Sequence, residues 1–217
     1  MIKAVHHKIR YHAPRLWDFI GASLMDQMLV SGVSFVIGLY LAKVLGIVQF
    51  GQFSLILLIT YLCLEAQRAL IIAPMMTFSA IDENEHYLPQ LGYMQILFNL
   101  TVSLLSAGFV FLTQFYFPKW QIGEFAGVTG FMVFSRMQQE FLRRIFFVQG
   151  RPIRAMALDV ITFTTLLVTI TLLTITDRLS LRNVFWWHVA AYLCPSFLSM
   201  IYLLQENVAI RAWREIY

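Results

Sequence analysis

The feature that most constrains this chain is the segment spanning residues 87–118, which carries no Asp, Glu, Lys or Arg. A helix needs about 20 predominantly apolar residues to cross the hydrocarbon core of a bilayer. Five further segments of similar character follow or precede it, so the pattern belongs to the whole chain. Composition agrees: 59% of the 217 residues are hydrophobic and only 13% are charged, with a mean hydropathy of +0.69. A soluble domain carries about a quarter charged residues, so lipid must cover most of this surface. Transmembrane barrels are excluded because their strands are alternating segments of about 10 residues, whereas these runs are continuous and longer. The expected fold class is all-α, a polytopic membrane protein with six transmembrane helices.

The first expected span covers 17–44, interrupted by Asp18, Asp26 and Lys43. A connection over 45–51 has glycine at Gly46 and Gly51, and the second span, 53–78, carries Glu65, Arg68 and Pro74. After the polar loop 81–86 comes the third span, expected to start beyond Pro89. The fourth covers 123–148, the fifth 155–176 and the sixth 184–204, with a basic turn at 150–154. This gives a basic leader (1–16), a six-helix transmembrane lobe (17–204) and a tail (205–217). The leader's His6, His7 and His12 read as solvated basic residues. The first span is too long for a signal-peptide core and lacks a small-residue cleavage site, so it is expected to be retained.

Six crossings place both termini on one side. That side holds Lys3, Lys8, Arg10, Arg15, Arg143, Arg144, Arg151, Arg154, Arg211 and Arg214, against Lys43, Lys119, Arg178 and Arg182 opposite. The positive-inside rule puts the richer side, with both termini, in the cytoplasm. Trp17, Trp120, Trp186, Trp187 and Trp213 fall near span ends, as an interfacial belt requires. The net charge of +4 is therefore topological, and no nucleic-acid groove is indicated. Cys63 and Cys194 lie in apolar runs and read as small hydrophobes.

Ionisable groups inside spans are costly and mark candidate functional positions. Asp26, Glu65 and Arg68 are such groups in the first two spans. In the fourth, Arg136, Gln139, Glu140, Arg143 and Arg144 recur at three- and four-residue steps, so they share one helix face. Phe131, Phe134, Phe141 and Val148 form the other. A polar stripe of this kind must meet water or protein, which predicts a hydrated cavity lined by Asp26, Glu65, Arg68, Arg136, Gln139, Glu140 and Arg143. The competing expectation is that Glu65 with Arg68, and Arg136 with Glu140, form neutralising pairs within their helices. Asp159, Arg143 and Arg144 are expected near the cytoplasmic end, where a topological role competes. Ser23, Gln27, Ser31 and Ser34 give the first span a small polar seam. Gly123-x-x-x-Gly127 with Gly130 predicts a close helix contact and Pro195 a kink; His188 reads as an interfacial or satisfied group, with a proton relay as the competing role. No serine-hydrolase elbow, zinc-protease or phosphate-loop motif is present, so no enzyme and no metal site are expected.

The run from Ser34 through Gly38, Lys43, Leu45-Gly46 and Phe50-Gly51 is similar to the first helix and turn of the polysaccharide flippases. Glu140-Phe141-Leu142-Arg143-Arg144 with Gly150-Arg151-Pro152 resembles their fourth helix and following turn. That family belongs to the multidrug/oligosaccharidyl-lipid/polysaccharide (MATE-like) transporter superfamily. The resemblance implies one six-helix lobe of a transporter in the bacterial inner membrane. Such a transporter moves a lipid-linked oligosaccharide by alternating access, without cofactor, with possible coupling to H+ or Na+. Full members carry two lobes, so the expected partner is a second copy (a homodimer) or another six-helix lobe. Their cavity is cationic, whereas this set of arginines is offset by Asp26, Glu65 and Glu140. Two other functions remain open: a drug or metabolite exporter of the same superfamily, and a non-transporting subunit or scaffold of a polysaccharide synthesis complex.

Overall fold

The computed structural model describes the backbone at residues 2–79 and 88–216, and side chains at 21, 24, 25, 27–77 and 90–203. Among these residues every regular element is helical. They are α1 (Ile2–Gln67), α2 (Ala73–Ser79), α3 (Leu88–Tyr116), α4 (Ala126–Val148), α5 (Pro152–Ile175) and α6 (Leu181–Ile216). Four stretches are long and apolar enough to cross a membrane: Gln27–Thr77, Gln90–Tyr116, Pro152–Ile175 and Leu181–Leu203. The expected fourth span corresponds to α4, whose Arg136, Glu140, Arg143 and Arg144 lower its apolar character. Helix also runs through residues assigned above to leader and tail.

The stretch Gln27–Thr77 is 51 residues long, about 77 Å as a straight helix. It is broken at Gly46, where φ 77° and ψ 171° are non-helical and accessible mainly to glycine. The break divides α1 into arm 1 (2–45) and arm 2 (47–67). Ser34 and Tyr61 line the same cavity although Gly46 lies between them, so the arms fold back side by side. Gln52 Nε2 donates to the Gln121 carbonyl at 3.1 Å, tying the bend to the α3–α4 connection.

Arm 2 continues through a π-helical turn, Arg68–Ile72, into α2. The cause lies in the second residue of α2. Pro74 has no N–H to give Leu70, and its ring crowds that carbonyl. The wider turn, with Ala73 N–H donating to Arg68 O five residues back, absorbs the misfit. α3 starts at Leu88, two residues earlier than expected, so Pro89 sits inside its first turn, where a missing N–H costs nothing.

α4 is the hub, contacting α1, α3, α5 and α6. Glycines in α4 and the short 3-10 turn before it set the α3 interface. A Cβ on Gly123 would stand 2.8 Å from that of Gln114, and one on Gly130 3.1 Å from both the Ser103 carbonyl and the Ala107 Cβ. Gly127 meets nothing within 4 Å, so the close contact expected from Gly123-x-x-x-Gly127 is made by Gly123 and Gly130 instead. Asn99 Nδ2 adds a bond to the Phe134 carbonyl at 3.2 Å. Of the aromatic face expected on α4, Phe131 is exposed while Phe141 is buried against Ile71 and Met75.

Tight caps join the last helices. Gly150 (φ 67°) ends α4, with Gly150 N–H bonding Phe147 O at 3.0 Å and Arg151 N–H bonding Phe146 O at 2.8 Å. This pair of bonds is the Schellman arrangement, and Pro152 then opens α5. Asp177 (φ 53°) repeats it at the end of α5. Ser180 caps α6, its hydroxyl accepting from Asn183 N–H at 3.3 Å. The largest apolar cluster lies towards the Gly46 end, with Phe53 stacked on Phe185 at 5.8 Å and Phe125 edge-on to Phe185 at 5.3 Å. Tyr40 Oη donates to Thr174 Oγ1 at 2.8 Å, fastening arm 1 to α5.

Candidate functional site

A cavity of about 250 Å³ opens inside the bundle. Arm 1 contributes Val30, Ser31 and Ser34; arm 2 Tyr61, Leu64 and Arg68; α4 Arg136, Gln139, Glu140 and Arg143; α5 Asp159 and Phe163; and α6 Tyr192. A chamber of about 60 Å³ adjoins it and shares Ser34, Tyr61, Arg136, Phe163 and Tyr192 as walls. That chamber is lined further by Ile37, Phe53, Leu57, Met132, Leu166 and His188, so it is mostly apolar.

Of the seven residues expected to meet, Arg68, Arg136, Gln139, Glu140 and Arg143 line this one cavity. Glu65 does not. Its side chain is 64% exposed and pairs with Arg68 at 2.5 Å on the outer surface. The side chain of Asp26 lies outside the described residues.

Glu140 is buried and takes guanidinium contacts from three sides. Arg144 approaches at 2.9 Å, Arg68 at 3.4 Å and Arg143 at 3.5 Å. The expected pairing of Arg136 with Glu140 is not made. Its order is unfavourable: on a helix an acid four residues before a base is better oriented than the reverse, and Arg144 occupies that better position. Arg143 also reaches Asp159 Oδ2 at 3.3 Å, while Asp159 Oδ1 accepts from Gln139 Nε2 at 2.9 Å. Gln139 Nε2 lies 3.0 Å from Thr162 Oγ1 as well, fixing the amide between α4 and α5.

Arg136 differs from the other cavity arginines. Among the described residues no carboxylate lies within ion-pair distance of it. Its guanidinium donates to the Tyr192 hydroxyl and stands 4.4 Å from the Tyr192 ring centre and 5.5 Å from that of Tyr61. Aromatic faces stabilise a cation without neutralising it. Among the described residues the walls thus carry Arg68 and Arg143 matched by Glu140 and Asp159, with Arg136 unmatched. Its tyrosine clasp separates the polar cavity from the apolar chamber. His188 faces that chamber with Nδ1 2.8 Å from the Val184 carbonyl; since a carbonyl only accepts, Nδ1 carries the proton.

Two wall residues escaped the charge-and-depth reading. Asp159, expected near the membrane end, is 3% exposed and central to the network. The signal was the tight turn after α4. Residues about equally far from Arg151 along two antiparallel helices stand opposite one another, which pairs Arg143 with Asp159, eight residues to either side, and brings Gln139 near Thr162. Tyr192 carries no formal charge at neutral pH and so drew no attention. Among the described residues no group of three His, Cys, Asp or Glu side chains is placed to hold a metal.

No protein-family model, curated protein or solved structure matches the chain.

Proposed function

We propose that this chain is a six-span lobe of a membrane transporter that carries a lipid-linked oligosaccharide across the bilayer by alternating access. In this reading arm 1, arm 2 with α2, and α3 to α6 each cross once. The observation that carries it is Arg136, a half-buried guanidinium in a polar cavity with no carboxylate partner among the described residues. A charge held that way inside an apolar bundle is costly and is best explained by an anion that arrives and leaves. Phosphate suits the forked guanidinium, and polyprenyl-linked sugars carry phosphate at the junction of lipid and sugar. The cavity volume of about 250 Å³ falls below the roughly 300–1,000 Å³ typical of ligand sites. It takes the phosphate and an adjoining sugar ring, with the remaining glycan and the lipid lying beyond this lobe. A proton or sodium gradient, or the membrane potential, would supply the drive.

The test is reconstitution into liposomes with a fluorescent polyprenyl-phosphate-linked sugar, scored by its access to an impermeant quencher. Flipping by the native chain that disappears in Arg136→Gln supports the proposal. Flipping that survives the substitution removes the anion contact. Export of organic cations with no lipid movement would establish the drug-exporter reading. A chain that moves neither, yet co-purifies with glycan-assembly enzymes, would be the scaffold.

A further inference from the structure

The Glu65–Arg68 pair lies on the outside of the bundle, with 64% and 42% of the side-chain surfaces exposed. Its depth can be measured from both ends. Arg68 reaches Glu140, which precedes the α4 terminus at Val148 by about 12 Å of helix. Gln52, anchored to the α3–α4 connection, precedes Glu65 by about 20 Å of arm 2. With arm 2 crossing the bilayer as proposed above, the pair sits well inside a hydrocarbon slab about 30 Å thick. Exposed charges at that depth are too costly to face lipid.

The surface around them is ordered. Leu58, Leu62, Glu65, Ala69 and Ala73 recur at three- and four-residue steps, and all are exposed. Ala69 within the π-helical turn and Ala73 just after it leave the backbone open to close approach. Arg68, half-exposed at the edge of this stripe, stands one turn from Glu65. Tyr61 and Arg68, which flank the stripe, belong to the cavity wall, so the stripe runs along the cavity's rim.

We propose that a second copy of this chain packs on this stripe about a two-fold axis along the membrane normal, Glu65 of each copy facing Arg68 of the other. A two-fold contact uses the same patch on both sides, so the patch must complement itself. Opposite charges one turn apart meet that condition, whereas a stripe of a single sign would need a different partner. The exchange converts two exposed pairs into one buried, alternating set, and it closes the cavity rim with the partner's arm 2. The inference rests on the transporter reading only for the crossing of arm 2.

The decisive experiment uses two variants, Glu65→Arg and Arg68→Glu, carrying different tags. Each alone sets like charges against each other at the seam and should run as a 25.2 kDa monomer plus detergent, where the native chain runs at twice that protein mass. Expressed together, the two variants restore both cross-pairs and should co-purify as a dimer. In a chain of native charge, Ala69→Cys with Cys63→Ala and Cys194→Ala should form an inter-copy disulfide in membranes treated with copper phenanthroline. This measurement stands even if a charge variant misfolds. A monomeric native chain, a complex only with some other protein, or a dimer without the Ala69→Cys crosslink would overturn the proposal. A dimer built this way that flips no lipid removes the transporter and keeps the seam; a flipping monomer does the reverse.

Discussion

Glu140 holds Arg68, Arg143 and Arg144 within 3.5 Å, so its loss leaves three guanidiniums crowded together without the carboxylate they share. Breaking a buried ion pair from one side costs about 3–5 kcal/mol, and Glu140→Gln should destabilise the bundle on that scale. Arg144→Gln should cost under about 1 kcal/mol, because the arginine is partly solvated and two cations remain on Glu140. Thermal unfolding of the two variants in mild detergent checks the contrast; equal losses would mean that Glu140 is no hub. Arg136 allows a finer separation of charge from shape. Arg136→Lys keeps the charge but loses the flat group that fits between Tyr61 and Tyr192. Lysine also gives up the forked contact to an anion, and a hydrogen bond to a charged group is worth about 1.5–3 kcal/mol, so on the proposed function binding of a polyprenyl-phosphate headgroup should weaken roughly tenfold or more. A titration following intrinsic tryptophan fluorescence would measure it, and unchanged affinity would reduce the tyrosine clasp to packing.

At the scale of elements, the two glycine-dependent features make opposite demands. Gly46 needs backbone angles that a side chain resists, at a cost of about 1–3 kcal/mol, and its space is open. Gly46→Ala should therefore strain the bend without any clash. The readout is a crosslink between Ser34→Cys and Tyr61→Cys, which should form in the native bend and fade in the alanine variant. Gly130 has ordinary helical angles but no room, so Gly130→Leu should push α3 from α4 at about 1–3 kcal/mol. Gly127→Ala, in open space, should stabilise α4 by up to about 1 kcal/mol. The turn at Gly46 was legible in the sequence because a glycine between two apolar runs has few other uses. Which glycines of Gly123, Gly127 and Gly130 touch α3 was not legible, since spacing identifies a face and leaves the neighbour's bulk unknown. The same limit hid Asp159. Depth along one helix says nothing about which residue of the next helix stands opposite, until the connecting turn is known to be tight.

At the scale of the molecule the number of crossings decides what the cavity can be. Four stretches qualify by length and apolarity, and the first of them, bent at Gly46, is long enough for two passes of a core about 30 Å thick. The unsettled element is α4, whose 23 residues span about 35 Å but carry a charged stripe. Were α4 to lie along the membrane surface, that stripe would meet water and the cavity would be an accident of packing. Its contacts argue for a crossing. α3 on one side and α5 and α6 on others enclose it, and the stripe is turned into the bundle, where Glu140 and Gln139 are buried. A crossing α4 puts the α3–α4 connection and the α4–α5 turn on opposite sides of the membrane; a surface α4 puts them on the same side. Lys119 and Ile153 report on these two places, and both are exposed. In a chain with Cys63→Ala and Cys194→Ala, Lys119→Cys and Ile153→Cys should react with an impermeant maleimide from opposite faces of sealed vesicles. Labelling of both from one face would lay α4 on the surface, leaving Arg136 no route across the membrane and the bundle no path for a substrate.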